Sequence, residues 1–188
     1  MPVYTKKGDT GETGLLFGGR VSKADPRCQA YGDVDSAVSA MGLGRALCNN
    51  QRVKEVLLQL QREMFTVGAE LATDPAQYHH LEANFAVVTP EMVARLEELI
   101  DETESQIELP RAFIVPGASA GSGALDLARS LLRTGERRVV ALKEDGRLAN
   151  TEVLRYLNRL SDLLFVLARL EDRDLPFELT TGDDTQTR

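Results

Sequence analysis

Long apolar runs are missing from this chain. No stretch reaches the roughly 18 consecutive apolar residues of a membrane span, and the opening Met-Pro-Val-Tyr-Thr-Lys-Lys lacks the apolar segment of a signal peptide. Cysteine is nearly absent: Cys28 and Cys48 show neither metal nor disulfide spacing and fit small buried thiols. Histidine is as scarce, and His79-His80 are adjacent, so their rings point to different sides with no further metal-ligand set near them. An excess of positive charge is also lacking. With 22 Lys+Arg against 29 Asp+Glu the net charge is −7, which argues against nucleic acid or an anionic membrane as the main partner. These absences describe a soluble, cytoplasmic protein, and they make any local cluster of arginine notable. The 188 residues, 43% of them hydrophobic, suit one domain with a real core.

Glycine, by contrast, is concentrated at the start. Thr5-Lys-Lys-Gly8-Asp9-Thr-Gly11-Glu-Thr13-Gly14 is followed by Phe17-Gly18-Gly19-Arg20-Val21-Ser22-Lys23. Glycine lets backbone N–H groups approach a ligand closely. Thr and Asp offer oxygens for a phosphate-bound cation, and Lys and Arg offer charge. Residues 1–30 therefore read as an ordered loop suited to polyphosphate, anchored by Leu15, Leu16, Phe17 and Val21.

The rest of the chain is helical. From about Asp33, a plausible N-cap, Val34, Val38 and Met41 share one face, and Gly42 and Gly44 suggest close approach of a neighbour. A second helix fits 51–72, where Val53, Leu57, Leu60, Met64, Val67 and Leu71 step by three and four. Residues 74–88 read as a loop. Thr89, Pro90 and Glu91 start a third helix that Leu109-Pro110 closes. Ser119 or Ser122 could cap a fourth, running to about Leu142, and a fifth covers roughly 150–171 with Val153, Leu157, Leu160, Leu164 and Leu167 as its seam. Thr180 to Arg188 forms a polar, mobile tail. Five helices with short connections predict an all-α bundle over 1–172, with 1–30 as a nucleotide-binding loop and 173–188 as a C-terminal tail.

Two polar strips stand out on that bundle. Arg129, Arg133, Glu136 and Arg137 share one face of the fourth helix. Stacked arginines repel unless neutralised, so Asp126 and Glu136 are candidate partners and an anion is another; the alternatives are a solvated face and a bidentate anion site. On the fifth helix Arg155, Asn158, Ser161 and Asp162 line one side. Asn is a poor mid-helix residue, so it serves either the bundle's hydrogen bonding or a nucleotide. No P-loop or dinucleotide fingerprint explains these features.

Three ordered blocks resemble the PduO-type ATP:cob(I)alamin adenosyltransferases. They are the N-terminal loop through Lys23; Phe113-Ile-Val-Pro116-Gly117 leading to Ala128-Arg129-Ser-Leu-Leu-Arg133 and Glu136-Arg137-Arg138; and Tyr156-Leu157-Asn158-Arg159-Leu160-Ser161-Asp162. Tyr31-Gly32-Asp33-Val34-Asp35 looks like the family's entry to its first helix. The resemblance implies a ferritin-like five-helix bundle, a homotrimer with active sites between subunits, and transfer of the 5′-deoxyadenosyl group of ATP to reduced cobalamin. It implies that Thr5, Gly8, Asp9, Thr13, Gly14 and Lys23 wrap ATP and its Mg²⁺, that Arg133, Glu136, Arg137 and Asn158 complete the ATP site, and that Asp35 and Arg129 pair between subunits. Phe113 would sit beside the corrin and help displace the lower axial ligand of cobalt. A flavoprotein reductase and a B12-dependent acceptor enzyme would be partners.

The chain departs from the family pattern at Asp126, commonly His; at Thr134-Gly135, commonly Arg-Ala; and at Ser36, frequently Glu. Gly135 should cost its helix about 1 kcal/mol relative to Ala, and Gly121-Ser122-Gly123 should loosen the helix start. The other readings kept open are an ATP- or adenosylcobalamin-binding delivery module of the same fold with little turnover, and a helical scaffold with no ligand.

Overall fold

The computed structural model describes residues 3–180. Five long helices form an all-α bundle, as the periodicity predicts: α1 (Pro26–Leu47), α2 (Gln51–Leu71), α4 (Pro90–Glu104), α5 (Ala120–Glu144) and α6 (Glu152–Glu171). The segment expected as a plain loop at 74–88 carries a 3₁₀ turn at Pro75–Gln77 and a short helix, α3 (Tyr78–Asn84). Seven residues are too few for a helical stripe to show in sequence. The N-terminal loop is ordered as a β-hairpin in which β1 (Glu12–Gly14) pairs antiparallel with β2 (Arg20–Ser22), Thr13 opposite Val21.

The first helix begins earlier than Asp33. Asp25 is the true N-cap, accepting from the Arg27 N–H at 2.8 Å, with Pro26 at the first helical position. That pairing of an acidic cap with proline is the stronger start signal, and Asp33 lies two turns inside. Thr89 caps α4 as expected, but that helix ends at Glu104 rather than near Leu109. Ser119 and Ser122 both act at the start of α5, as a reciprocal capping box.

Apolar stripes from all five long helices meet in one core, with Val93 and Leu96 from α4. Ala30, Val34 and Met41 of α1, Leu57, Leu60 and Met64 of α2, Leu125, Leu132 and Val139 of α5, and Leu157, Leu160 and Leu164 of α6 are all buried. α1 and α5 run antiparallel and are the most extensively packed pair. A Cβ placed on Gly44 would lie 2.7 Å from Leu125 Cδ2, and one on Gly121 would lie 2.9 Å from Cys48 Cα. The expectation that Gly44 marks a close approach holds. The expectation that Gly121-Ser122-Gly123 loosens the helix start does not: the capping box and the Cys48 contact fix it. Gly135 likewise has a packing role, since its Cβ would meet Val34 at 3.3 Å.

Glu171 at the end of α6 accepts from the Asn49 and Asn50 N–H groups, tying it to the α1–α2 turn. Beyond it, the Val115 N–H donates to Glu178 O at 2.7 Å and the Thr180 N–H to Phe113 O at 3.0 Å. Residues 178–180 thus run against the segment that leads into α5. The remainder of the expected mobile tail, 181–188, lies outside the described residues. Cys48 is buried as expected, whereas Cys28 is only half-buried; both thiols are free. No helix among the described residues is long and apolar enough to cross a membrane.

Candidate active site

The hairpin presents an open surface. Thr5, Asp9, Gly14 and Lys23 are exposed, and Gly8 and Thr13 are half-exposed. Turns in the segment that leads into β1 are closed by the Asp9 N–H on Lys6 O and the Gly11 N–H on Gly8 O. The Lys23 N–H then donates to Gly11 O at 2.9 Å, and the Lys23 ammonium crosses over Gly8, 3.1 Å from where a Cβ would stand. Arg20 is used inside the hairpin, donating to Glu12 and to Lys7 O. Arg20 is thus occupied, whereas Lys23, like Lys6 and Lys7, forms no ion pair among the described residues.

The hairpin is fastened to one end of the bundle. The Leu16 N–H donates to Ala72 O and the Asp74 N–H to Phe17 O, both at 2.9 Å, while the Phe17 ring packs on His80 and Phe85. Below it lies a buried polar knot: Glu70 accepts from the Tyr78 hydroxyl at 2.8 Å and the Val88 N–H at 2.5 Å. Burial pushes the Glu70 carboxyl above its ordinary range, more than these hydrogen bonds lower it. Tyr31, half-buried on α1 beside Thr13 and Cys28, has its phenol pushed up to about 12 by burial and by the Cys28 contact.

On α5 the expected arginine face is present, but its neutralisation differs from the simplest reading. Asp126 does lie 3.9 Å from the Arg129 Nε. Glu136 instead turns to α6 and accepts from the Asn158 amide at 3.0 Å, and Asn158 also accepts from Arg159. Arg137 donates to the Thr134 hydroxyl, and Arg138 pairs with Asp33 of α1 at 3.7 Å. Arg133 and Arg137 are exposed, and among the described residues neither meets a carboxylate. Two guanidiniums a helical turn apart, lacking acidic partners, form a surface that favours an anion.

Asp35 is exposed on α1 and forms no ion pair among the described residues. The seam sets Val34 against Gly135 and Gly44 against Leu125, so Asp35 lies more than a helical turn from the level of Arg129. Asp35 and Arg129 are not brought together within one chain. Neither are Phe113 and the hairpin. Phe113 is 84% exposed on the segment that enters the N-terminal end of α5, whereas the hairpin's root touches Arg147, just past the other end of that 25-residue helix. Such a helix is about 37 Å long. Within a chain, then, Glu136 meets Asn158 and Lys23 meets Gly8, while the hairpin and Phe113 lie toward opposite ends of α5 and Asp35 stays apart from Arg129.

Sequence reasoning misses two clusters. Arg169, 2% exposed in the apolar run of α6, pairs with the buried Asp126. Arg129 and Arg169 both lie over the Phe165 ring, at 5.9 and 5.3 Å. This corner borders a cavity of about 560 Å³ whose walls include Glu97, Asp101, Glu104, Arg159 and Phe165. A signal existed: an arginine at a core-facing position needs a buried acid, and Asp126 is the nearest mid-helix acid on α5. The second cluster joins Asp25, Arg27, Asp74 and Arg147 across residues far apart in sequence, where no spacing rule applies.

A bundle of five long helices with a glycine hairpin at one end places the chain among the all-α proteins. A sequence profile described as cobalamin adenosyltransferase matches residues 3–171, and the chain belongs to that family. It is 38% identical over 174 residues to the corrinoid adenosyltransferase PduO of Citrobacter freundii, covering 93% of this chain but 51% of that protein, so it spans about half the length of that relative. It is 40% identical to the corrinoid adenosyltransferase of Bacillus subtilis, covering 90% of this chain and 86% of that one. Its fold matches, with a TM-score of 0.85 and 34% identity over 95% of this chain and 98% of the other, a variant PduO-type ATP:corrinoid adenosyltransferase from Lactobacillus reuteri complexed with cobalamin and ATP.

Proposed function

We propose that this chain transfers the 5′-deoxyadenosyl group of ATP to cob(I)alamin, giving adenosylcobalamin and triphosphate. The observation that carries the reading is the family match across residues 3–171, which spans both the open glycine hairpin and the bare Arg133–Arg137 face. The cobalt(I) lone pair attacks C5′ of the ribose, the C5′–O bond breaks, and its electron pair leaves with the triphosphate. No proton has to be removed, so the site needs no general base. The protein's tasks are to hold C5′ in line with cobalt and to stabilise charge gathering on the leaving group.

Thr5, Gly8, Asp9, Thr13, Gly14 and Lys23 wrap the triphosphate in this reading. Arg133 and Arg137 meet its charge, and Glu136 holds the Asn158 amide toward the nucleotide. Among the described residues no three or more His, Cys, Asp or Glu side chains gather as a metal cage. Mg²⁺ therefore fits as a companion of the phosphates, with Asp9 and Thr13 the hairpin oxygens that would reach it. Phe113, standing out in solvent, supplies an apolar wall for the corrin; excluding an axial donor makes cobalt easier to reduce. Because the hairpin and Phe113 lie toward opposite ends of α5 in one chain, the site closes between copies of a homotrimer, where Asp35 of one copy can reach Arg129 of another. Two free thiols suit a cytoplasmic location, where a flavoprotein reductase would supply the electron and a B12-dependent enzyme would take the product.

The test is to mix the full chain with ATP, Mg²⁺ and chemically reduced cobalamin and follow the visible spectrum. A light-sensitive adenosylcobalamin spectrum growing above the protein-free control is expected. Its absence sinks the reading, and tight binding of ATP without turnover would point to a delivery module instead.

A further inference from the structure

The hairpin has little to hold it. A two-stranded ribbon with three residue pairs is not stable alone in water, and most of this one is exposed. It joins the bundle at its crest, where Leu16, Phe17 and Gly18 meet Ala72, Asp74, His80 and Phe85, and at its exit, where the chain enters α1 at Asp25. One chain of alternating charges runs through both. Asp74 Oδ2 accepts from Arg27 Nη1 at 3.1 Å, Arg27 Nε lies 3.5 Å from Asp25 Oδ1, and Arg147 Nη2 lies 2.8 Å from both Asp25 oxygens. Arg27 is 7% exposed, so its charge is largely withdrawn from water and depends on these carboxylates.

Arg147 is itself fixed. α5 ends with the Gly146 N–H on Lys143 O and the Arg147 N–H on Leu142 O, and Gly146 takes the left-handed conformation, φ 69°, that this helix stop requires. The side chain that grips the hairpin's exit thus projects from the rigid end of the helix that carries Arg133, Glu136 and Arg137. The two aspartates are held below their ordinary values. For Asp25, burial acts upward but the Arg27 N–H and the Arg147 and Arg27 charges outweigh it. For Asp74 the Ala76 N–H and then Arg27 act downward.

We propose that Asp74, Arg27, Asp25 and Arg147 form a positioning device that sets the hairpin's angle on the end of α5, so that the hairpin meets the triphosphate in one orientation. These are positioning residues and touch no reacting atom. The functional half of this proposal rests on the nucleotide reading above; the mechanical half does not.

The test uses Arg147→Ala and Arg147→Lys in the full chain. Lys6, Lys7, Arg20 and Lys23 make the hairpin a substrate for trypsin, so hairpin cleavage without ATP reads its attachment directly. Arg147→Ala is expected to speed hairpin cleavage about tenfold while the thermal midpoint and the cleavage rate inside the bundle stay unchanged. In the adenosyl-transfer assay it should raise KM for ATP about tenfold and leave kcat at saturating ATP within about twofold. Arg147→Lys should restore both within about threefold of the parent. Asp25→Asn, which keeps the α1 cap, should add little to Arg147→Ala, because the two groups act as one unit. Unchanged hairpin cleavage in Arg147→Ala overturns the proposal whether or not the protein turns over. Faster cleavage everywhere with a lowered midpoint also overturns it, as it marks a plain stability role. Faster hairpin cleavage in Arg147→Ala, together with a parent chain that makes no adenosylcobalamin, keeps the positioning device and rejects the nucleotide reading alone.

Discussion

Glycine does opposite work in two regions of this molecule. On the α1–α5 seam, Gly44 and Gly121 leave no room: an added Cβ would come within 2.7 and 2.9 Å of a neighbour. In the hairpin, an added Cβ at Gly11, Gly14 or Gly19 would find nothing within 4 Å. Packing explains the first set completely. The backbone itself asks for glycine at Gly11 (φ 81°) and Gly18 (φ 133°), but neither packing nor backbone conformation explains Gly14 and Gly19, and open glycines of that kind suit a surface that a ligand approaches closely.

The contrast can be broken from either side. Gly121→Val forces atoms against the Cys48 backbone and should destabilise the fold by about 3 kcal/mol, read as a lowered urea midpoint with an unchanged slope. Arg133→Ala lies outside the seam and should leave that midpoint where it is. Adenosyl transfer should fall about 10²-fold, and full retained activity would remove Arg133 from the triphosphate. Gly14→Val suits a strand position and open space, so stability should change by less than about 0.5 kcal/mol, while ATP affinity drops about tenfold; a lowered midpoint with intact affinity would reverse the comparison. The mildest perturbation is acid. Asp25 and Asp74 have carboxyls held below the ordinary aspartate value of 3.8. Their contribution is whole above that value and is lost as pH falls through the lower folded values. Peptic cleavage of the hairpin should therefore accelerate below about pH 4 before the bundle itself opens, and simultaneous loss of both would place the carboxylates' effect in the core instead.

Most of the bundle was legible because helical stripes are local. Val153, Leu157, Leu160, Leu164 and Leu167 announce α6 from spacing alone, and Thr89-Pro90 announces α4. Asp33 looks like a cap because an aspartate before an apolar stripe looks alike at any turn; the proline after Asp25 is the better discriminator. The hairpin's strands are three residues each, too short for alternation to register. Of the candidate site, the arginine face could be read from spacing, but which carboxylate neutralises which arginine could not. Glu136 chose Asn158, 22 residues away, over the arginines beside it, and Asp25 found Arg147 across 122 residues. Those choices depend on how helices lie against each other, which one-dimensional spacing does not contain.

The buried Asp126–Arg169 pair gives the α5–α6 contact a thermal character unlike its surroundings. Charged groups lose hydration free energy on heating, so the penalty for keeping this pair out of water shrinks as temperature rises, whereas the apolar seam gains nothing further per unit area. The corner around Phe165 is thus the part of the bundle whose cohesion heat improves relative to the rest.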